Sequence, residues 1–375
     1  MKVSNTYIKR VLYIIVLLGM LLPAFLHIFK VGNYKELGGV FLKTQPVSLT
    51  LKTIKTGAFQ DSLQNYLKDN LFVRAPFVRL RNQFDFYLYD TLHAGDVYYF
   101  DGQFFRFYMY NYSDEMGFEG WDINEERIRK LEVVKDTLDK YNTEILSVIT
   151  PSKGHYYRDK VKNDFFRSNR WSNLAVIDSL YSMSNLNYIN FDEWFLRLKD
   201  TIVRPLFGSG GIHWNQFGAT LAMDSVLRFL SKTKIQDKIN FPSWTLSDKH
   251  KQLDMDMDLL NTANLLFKYK DTSLRIVELN NDSPKNDLKV IVNSDSYFDV
   301  ISWTNLRQTY FGLNSEYRYY NRVNYDINSL EIPKTKLTKE MLIKQDLILI
   351  MYSIPNLTDY SRGMIDELYE AVIQE

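Results

Sequence analysis

The pattern of apolar and polar positions divides the chain into an N-terminal apolar run, a short mixed stretch, and a long region where helical and strand periods alternate. Residues 11–29, VLYIIVLLGMLLPAFLHIF, carry no charge with histidine neutral and follow Lys2, Lys9 and Arg10. About 20 such residues span a bilayer as a helix. The run is long for the apolar part of a cleaved signal peptide, and no small-x-small site follows it before Lys30. An uncleaved anchor over 1–30 is therefore expected, with the basic flank in the cytoplasm and the bulk of the chain outside it. Residues 31–57, punctuated by Gly, Pro and Thr, read as a stalk or linker.

Beyond the stalk, 58–375 reads as one domain. Residues 58–92 have helical spacing and predict one or two helices. DVYYFDGQFFRF (96–107) predicts a hairpin turning at Asp101-Gly102. Helical periods over 123–141, 172–183, up to 199, 213–231 and 360–373 alternate with apolar runs. Those runs are EILSVIT (144–150), LNYINF (186–191), LKVIVN (288–293) and DLILIMYS (346–353). Strands apolar on both faces, alternating with helices, predict an α/β fold: a mostly parallel sheet in a three-layer α/β/α arrangement. Residues 240–286 are polar with little periodicity and read as an insertion or lid.

Composition narrows the class. A hydrophobic fraction of 45% and a charged fraction of 24% are ordinary for a globular protein. The net charge is +1 and no basic stripe is interleaved with aromatics, so no nucleic-acid partner is expected. The absence of cysteine excludes disulfides, thiolate metal sites and a Cys nucleophile. The abundant rings, 26 Tyr and 24 Phe, suit a carbohydrate-facing surface and an apolar core equally. MDMD (255–258) lacks flanking ligands at a recognised spacing and reads as a solvated loop, so no metal is expected.

Candidate chemistry begins at NSDS (293–296), where an apolar strand runs into small polar residues and a helix-compatible stretch. Ligands of open parallel sheets bind beyond the carboxyl ends of the strands. A serine there exposes its hydroxyl beside the backbone N–H groups of a helix start, its own and that of Tyr297 among them, which suit a developing oxyanion. Ser294 and Asp295 can equally be no more than helix caps. A nucleophilic Ser296 needs a base, and the chain has five histidines. His27 lies in the apolar run, while His93 and His250 lie in loop-like context. His155 follows TPSKG at a strand end. His213, in GSGGIHWNQFGA, has glycines before it and Trp214 beside it, which suits a general base held against Ser296. A buried imidazole bonded to a backbone carbonyl is the plainer account of the same residue.

Four segments, in this order, resemble motifs of the SGNH-hydrolase-like alginate O-acetyltransferase family, membrane-anchored or periplasmic polysaccharide O-acetylation proteins. They are DVYYFDGQFF, VITPSKGHYY, GIHWNQFGA and VNSDSYF, and the resemblance spans about residues 58–355. It implies Ser296 as nucleophile and His213 as base, without a cofactor. Lys153 and Tyr156 fall on the family's K-x-x-Y positions and, with Ser294, Tyr297 and Trp214, are candidates for substrate or oxyanion contacts. The chain departs from the family pattern twice: Gly211 stands where the family has the aspartate two residues before the histidine, and Ser294 where it has glycine. The first departure leaves a Ser-His dyad oriented by a backbone carbonyl or by a carboxylate from elsewhere. The implied activity is transfer of an acyl group, acetyl by resemblance, to hydroxyls of a cell-surface or secreted polysaccharide. The implied setting is the bacterial inner membrane, with the main domain in the periplasm and a multipass membrane acyltransferase as acyl donor. Two other readings use the same residues differently: a carbohydrate esterase of the same fold, and a non-catalytic polysaccharide-binding or scaffold member.

Overall fold

The computed structural model describes residues 5–39, 44–106, 118–161, 172–304 and 306–374. Lys2 of the basic flank and Phe107, the last residue of the expected hairpin, lie outside the described residues. The chain divides into two units, residues 1–95 with 260–269 and residues 96–259 with 270–375.

The first unit is helical. Its helix Asn5–Phe29 contains one segment, Thr6–Phe29, long and apolar enough to cross a membrane, and none of that segment is buried within the protein. The backbone N–H of Phe72 donates to His27 Nδ1 at 3.0 Å. Phe72 lies between the helices Ala58–Asn70 and Arg74–Tyr89, so the expected helical stretch 58–92 forms two helices.

The second unit opens with strands β1 (Val97–Phe100) and β2 (Gln103–Arg106), an antiparallel hairpin. Asp101 (φ 43°) and Gly102 (φ 80°) are both left-handed at its turn, as a two-residue hairpin requires. The main sheet has seven strands: β3 (Glu144–Thr150), β4 (Asn187–Asn190), β7 (Val290–Ser294), β8 (Ser315–Tyr319), β9 (Val323–Tyr325), β10 (Glu331–Ile332) and β11 (Leu347–Ser353). A separate antiparallel pair is formed by β5 (Trp244–His250) and β6 (Arg275–Leu279). In the main sheet the order is β10-β9-β8-β7-β11-β3-β4. The five strands from β8 to β4 are parallel; β9 and β10 extend the edge antiparallel.

Strand alternation splits the core in two. Leu347, Leu349 and Met351 join Val290, Val292, Leu146 and Val148 on one face, against the helix Gln216–Leu230. Ile348, Ile350 and Tyr352 join Ile145, Ile149 and Ile291 on the other, against the helices Trp121–Leu138, Asn173–Met183 and Met364–Ile373. The expected α/β fold with a three-layer domain and mostly parallel sheet is the one observed, with an apolar helix preceding it.

Two stretches differ from expectation. Residues 240–286 are more than a polar insertion: β5 and β6 pair, and the backbone N–H of Val277 donates to Gln216 Oε1 at 2.8 Å, tying the ribbon to the helix Gln216–Leu230. The strands β8 to β10 carry buried charge that hides their period. Arg318 on β8 is fully buried and pairs with Glu316 at 2.7 Å and Glu367 at 3.5 Å.

Candidate active site

The carboxyl ends of β7, β11 and β8 lie side by side, and the chain leaves each through a short polar turn. After β7, Asp295 caps the turn Ser296–Phe298, its Oδ1 accepting from the Tyr297 N–H at 3.0 Å. Asp295 and Tyr297 are buried, whereas Ser296 between them is half-buried. The other Asp295 oxygen, Oδ2, accepts from Ser353 N–H (2.8 Å), Ser353 Oγ (2.6 Å) and Asn356 Nδ2 (2.8 Å) at the end of β11. A buried carboxylate satisfied by four donors thus joins the two strand ends.

His213 comes from the loop ahead of the helix Gln216–Leu230. Asn215 caps that helix by accepting from Gly218 N–H at 2.9 Å. Trp214, fully buried, donates its Nε1–H to the Tyr297 carbonyl at 2.9 Å. The Tyr297 ring meets the His213 ring edge-on at 5.2 Å, and its hydroxyl donates to the Ile212 carbonyl at 3.2 Å. The two turns are locked together, and His213 Nε2 lies 2.9 Å from Ser296 Oγ. Burial holds the imidazole below its ordinary value, with the Asp258 and Asp295 charges pulling the other way. A neutral ring with Nε2 facing the serine hydroxyl is the form that accepts its proton, and the ring proton then sits on Nδ1.

Beside this pair lies a recess of about 80 Å³ lined by Ser296, Ile212, Tyr297, Tyr320, Pro355 and Asn356 among others. Asn356 Nδ2 also reaches the Tyr320 hydroxyl at 3.3 Å, and both residues line the recess beside Ser296. Burial and the Asp295 charge keep Tyr320 well above the usual phenol range, hence protonated. Side chains that follow β8 and β11, Tyr320 and Asn356, therefore meet beside Ser296.

The remaining sequence-derived candidates stand elsewhere. Lys153 is fully buried and spends its three ammonium protons on the carbonyls of Gly208 (2.7 Å), Ser209 (2.7 Å) and Gly211 (2.9 Å). Burial pushes that ammonium down to about 7 against the opposing charges of Asp258, Asp271 and Asp256. The expected donation to substrate is thus replaced by bracing the glycine loop that carries His213. Tyr156 packs edge-on against Tyr157 (4.7 Å) and tilted on Phe207 (5.2 Å), a core role rather than a substrate contact. Trp214 clamps and does not line the recess. Ser294 is fully buried, and its Oγ has no hydrogen-bond partner among the described residues. Of the other histidines, His155 bonds Asp192 through Nδ1 and His93 bonds Asp85 at 2.7 Å.

The solvated-loop reading of 255–258 is corrected. Asp256 is buried, its Oδ2 accepting from Leu253 N–H at 2.8 Å, and Asp258 Oδ2 lies 3.5 Å from His213 Nδ1. Sequence reasoning also missed Asp295 as a junction, and Tyr320, Ser353 and Asn356. A signal existed for two of them: Ser353 ends β11 and Asn356 follows it, as Ser294 ends β7 and Ser296 follows it. Among the described residues no cluster of side chains could hold a metal ion.

No family model matches the chain, and no curated protein matches it. Among solved structures it is similar to the O-acetyltransferase domain of Pseudomonas putida AlgJ, at 15% identity and TM-score 0.45, covering 73% of this chain and 98% of that one. It is similar to Bacillus cereus PatB1 at 12% identity and TM-score 0.44, covering 71% and 98%. It is similar to Pseudomonas aeruginosa AlgX at 12% identity and TM-score 0.45, covering 72% and 66%.

Proposed function

We propose that the protein is a serine-dependent O-acyltransferase that moves an acyl group, acetyl by the motif resemblance, onto hydroxyls of a cell-surface or secreted polysaccharide. The observation that carries the reading is the 2.9 Å contact between His213 Nε2 and Ser296 Oγ beside a recess at the carboxyl edge of the sheet. Ser296 Oγ attacks the donor carbonyl as its proton passes to His213 Nε2. The carbonyl oxygen, now negative, sits in the recess, where the protonated Tyr320 hydroxyl is the donor, Asn356 Nδ2 being engaged by Asp295 and Tyr320. The donor C–O bond breaks, the imidazolium returns the proton to the departing alcohol, and an acyl ester remains on Ser296. A sugar hydroxyl attacks that ester, giving its proton to His213, which restores it to Ser296 as the serine leaves.

The four motifs in order support the polysaccharide acceptor. The apolar helix and its basic flank support a single-pass anchor in the inner membrane, N-terminus in the cytoplasm and residues 58–375 in the periplasm; the motif resemblance alone supports a multipass membrane acyltransferase as donor. The full chain in detergent, given p-nitrophenyl acetate, should release p-nitrophenol and gain one acetyl mass. Ser296→Ala and His213→Ala should do neither. An adduct on Ser296→Ala equal to that on the unaltered chain would sink the reading. Release of p-nitrophenol that adding polysaccharide neither redirects nor accelerates would make the protein an esterase.

A further inference from the structure

The Ser296–His213 pair leaves His213 Nδ1 without a hydrogen-bond partner among the described residues, and the position at which the resembled family carries an aspartate is Gly211. We propose that Asp258 is the carboxylate that orients His213, delivered by the 255–258 segment, which fills the space that a side chain at position 211 would need. This rests on the serine-dependent reading above.

A Cβ built on Gly211 would lie 2.6 Å from the Met255 carbonyl oxygen and 2.9 Å from Asp256 Cα. Both are backbone atoms, so no rotamer change relieves the clash. A side chain at 211 and the segment in its present place exclude each other. The segment is tied to the His213 loop at two points. Leu259 N–H donates to the Gly210 carbonyl at 3.0 Å, and Ile212 N–H donates to Asp258 Oδ1 at 2.9 Å. Asp258 Oδ1 also accepts from Leu259 N–H at 2.8 Å, which fixes the carboxyl plane and leaves Oδ2 facing Nδ1 at 3.5 Å.

That separation exceeds a hydrogen bond by about half an ångström, and such contacts in ligand-free sites tighten when the imidazolium forms. The other groups at the ring are Ser296 on Nε2, the Tyr297 edge, and Asp295, whose carboxylate is engaged by its four donors on the turn and β11. Behind the loop, the Lys153 ammonium holds the Gly208, Ser209 and Gly211 carbonyls. Asp258 is thus a positioning residue. It holds the Nδ1–H tautomer that turns Nε2 toward Ser296, and it stabilises the charge His213 acquires.

Asp258 also braces the Ile212 backbone, so the test must separate charge from bracing. Asp258→Asn keeps an oxygen for the Ile212 and Leu259 N–H groups and removes the charge. In the full chain, kcat with p-nitrophenyl acetate should fall on the order of 10²-fold to 10⁴-fold with KM little changed. A carboxylate favours the imidazolium, so its removal should move the acid limb of kcat/KM, and the His213 ¹³Cε1 NMR titration midpoint, to lower pH. A purely structural brace would lower the melting temperature and leave that midpoint in place. Unaltered kcat with an unmoved midpoint overturns the assignment. The titration reads the Asp258 contact without turnover, so it stands even where acetylated Ser296→Ala has sunk the serine reading.

Discussion

Gly211→Ala adds one methyl group at a point where three backbone atoms already stand within 3.1 Å. Ordinary contact with the Met255 oxygen begins near 3.4 Å, so the 255–256 backbone must retreat by about 0.8 Å. Overpacking of this kind costs about 1–3 kcal/mol. The retreat pulls on the bonds Leu259 N–H to Gly210 O and Ile212 N–H to Asp258 Oδ1, and therefore on the loop bearing His213. A displacement near 1 Å in a site can cost about 10²-fold in rate. Gly211→Ala should thus lose about 1–3 kcal/mol in urea unfolding and on the order of 10²-fold in kcat, measured below its melting temperature. Gly208→Ala, three residues earlier, is the control for stability. Its Cβ would meet only side-chain atoms, Leu274 Cδ1 at 3.3 Å and Asp256 Oδ1 at 3.4 Å, which can yield. Gly211→Ala unfolding and turning over like the unaltered chain would refute the argument that this segment and a side chain at 211 compete for space.

Tyr320→Phe should, under the proposed acyl transfer, reduce kcat by about 10²-fold to 10³-fold with little change in KM, since it removes the hydroxyl donor of the recess; a change confined to KM would instead make it a ground-state contact. Lys153→Met leaves the buried Gly208 and Gly211 carbonyls without their donor, while Ser209 keeps the Phe104 N–H, and should cost about 2–6 kcal/mol of stability in urea unfolding; a variant as stable as the parent would show that the ammonium does not brace the loop. Burial pushes the Asp299 carboxyl up to about 6 while it accepts from the Tyr317 hydroxyl at 3.1 Å. A carboxyl raised in the folded state favours folding below its unfolded pKa near 4, and that contribution is lost as pH rises through 6. Asp299→Asn should therefore stabilise the protein at pH 8 by on the order of 2 kcal/mol, a gain that fades toward pH 4. A pH-independent difference would contradict it.

Where apolar period and backbone role agreed, the sequence was readable. β3 matches EILSVIT, and β11 matches DLILIMYS from its second residue onward, because every residue in both strands is buried and no exposed polar position interrupts the run. β8 to β10 were missed because burying Arg318 among Glu316 and Glu367 makes a sheet edge look like a solvated stretch. At the site, Ser296 and His213 could be picked out because a strand end and a glycine-flanked histidine each have a local signature, and the structure brings the two together. Asp258 has none. Its proximity to His213 depends on a segment 45 residues downstream folding back over Gly211, and only long-range packing specifies that. Lys153 was placed at the correct strand end, but its direction was hidden, because three carbonyls seeking a donor leave no trace in residue identity.

The recess beside Ser296 has a volume of about 80 Å³ and is walled by Tyr320 after β8 and by Pro355 and Asn356 after β11. Under the acyl transfer proposed above, a group held on the serine oxygen would lie against those two turns. Substitutions there, rather than in the sheet, would alter which acyl group is accepted, and on the same reading the choice of acceptor would fall to the surface outside the recess.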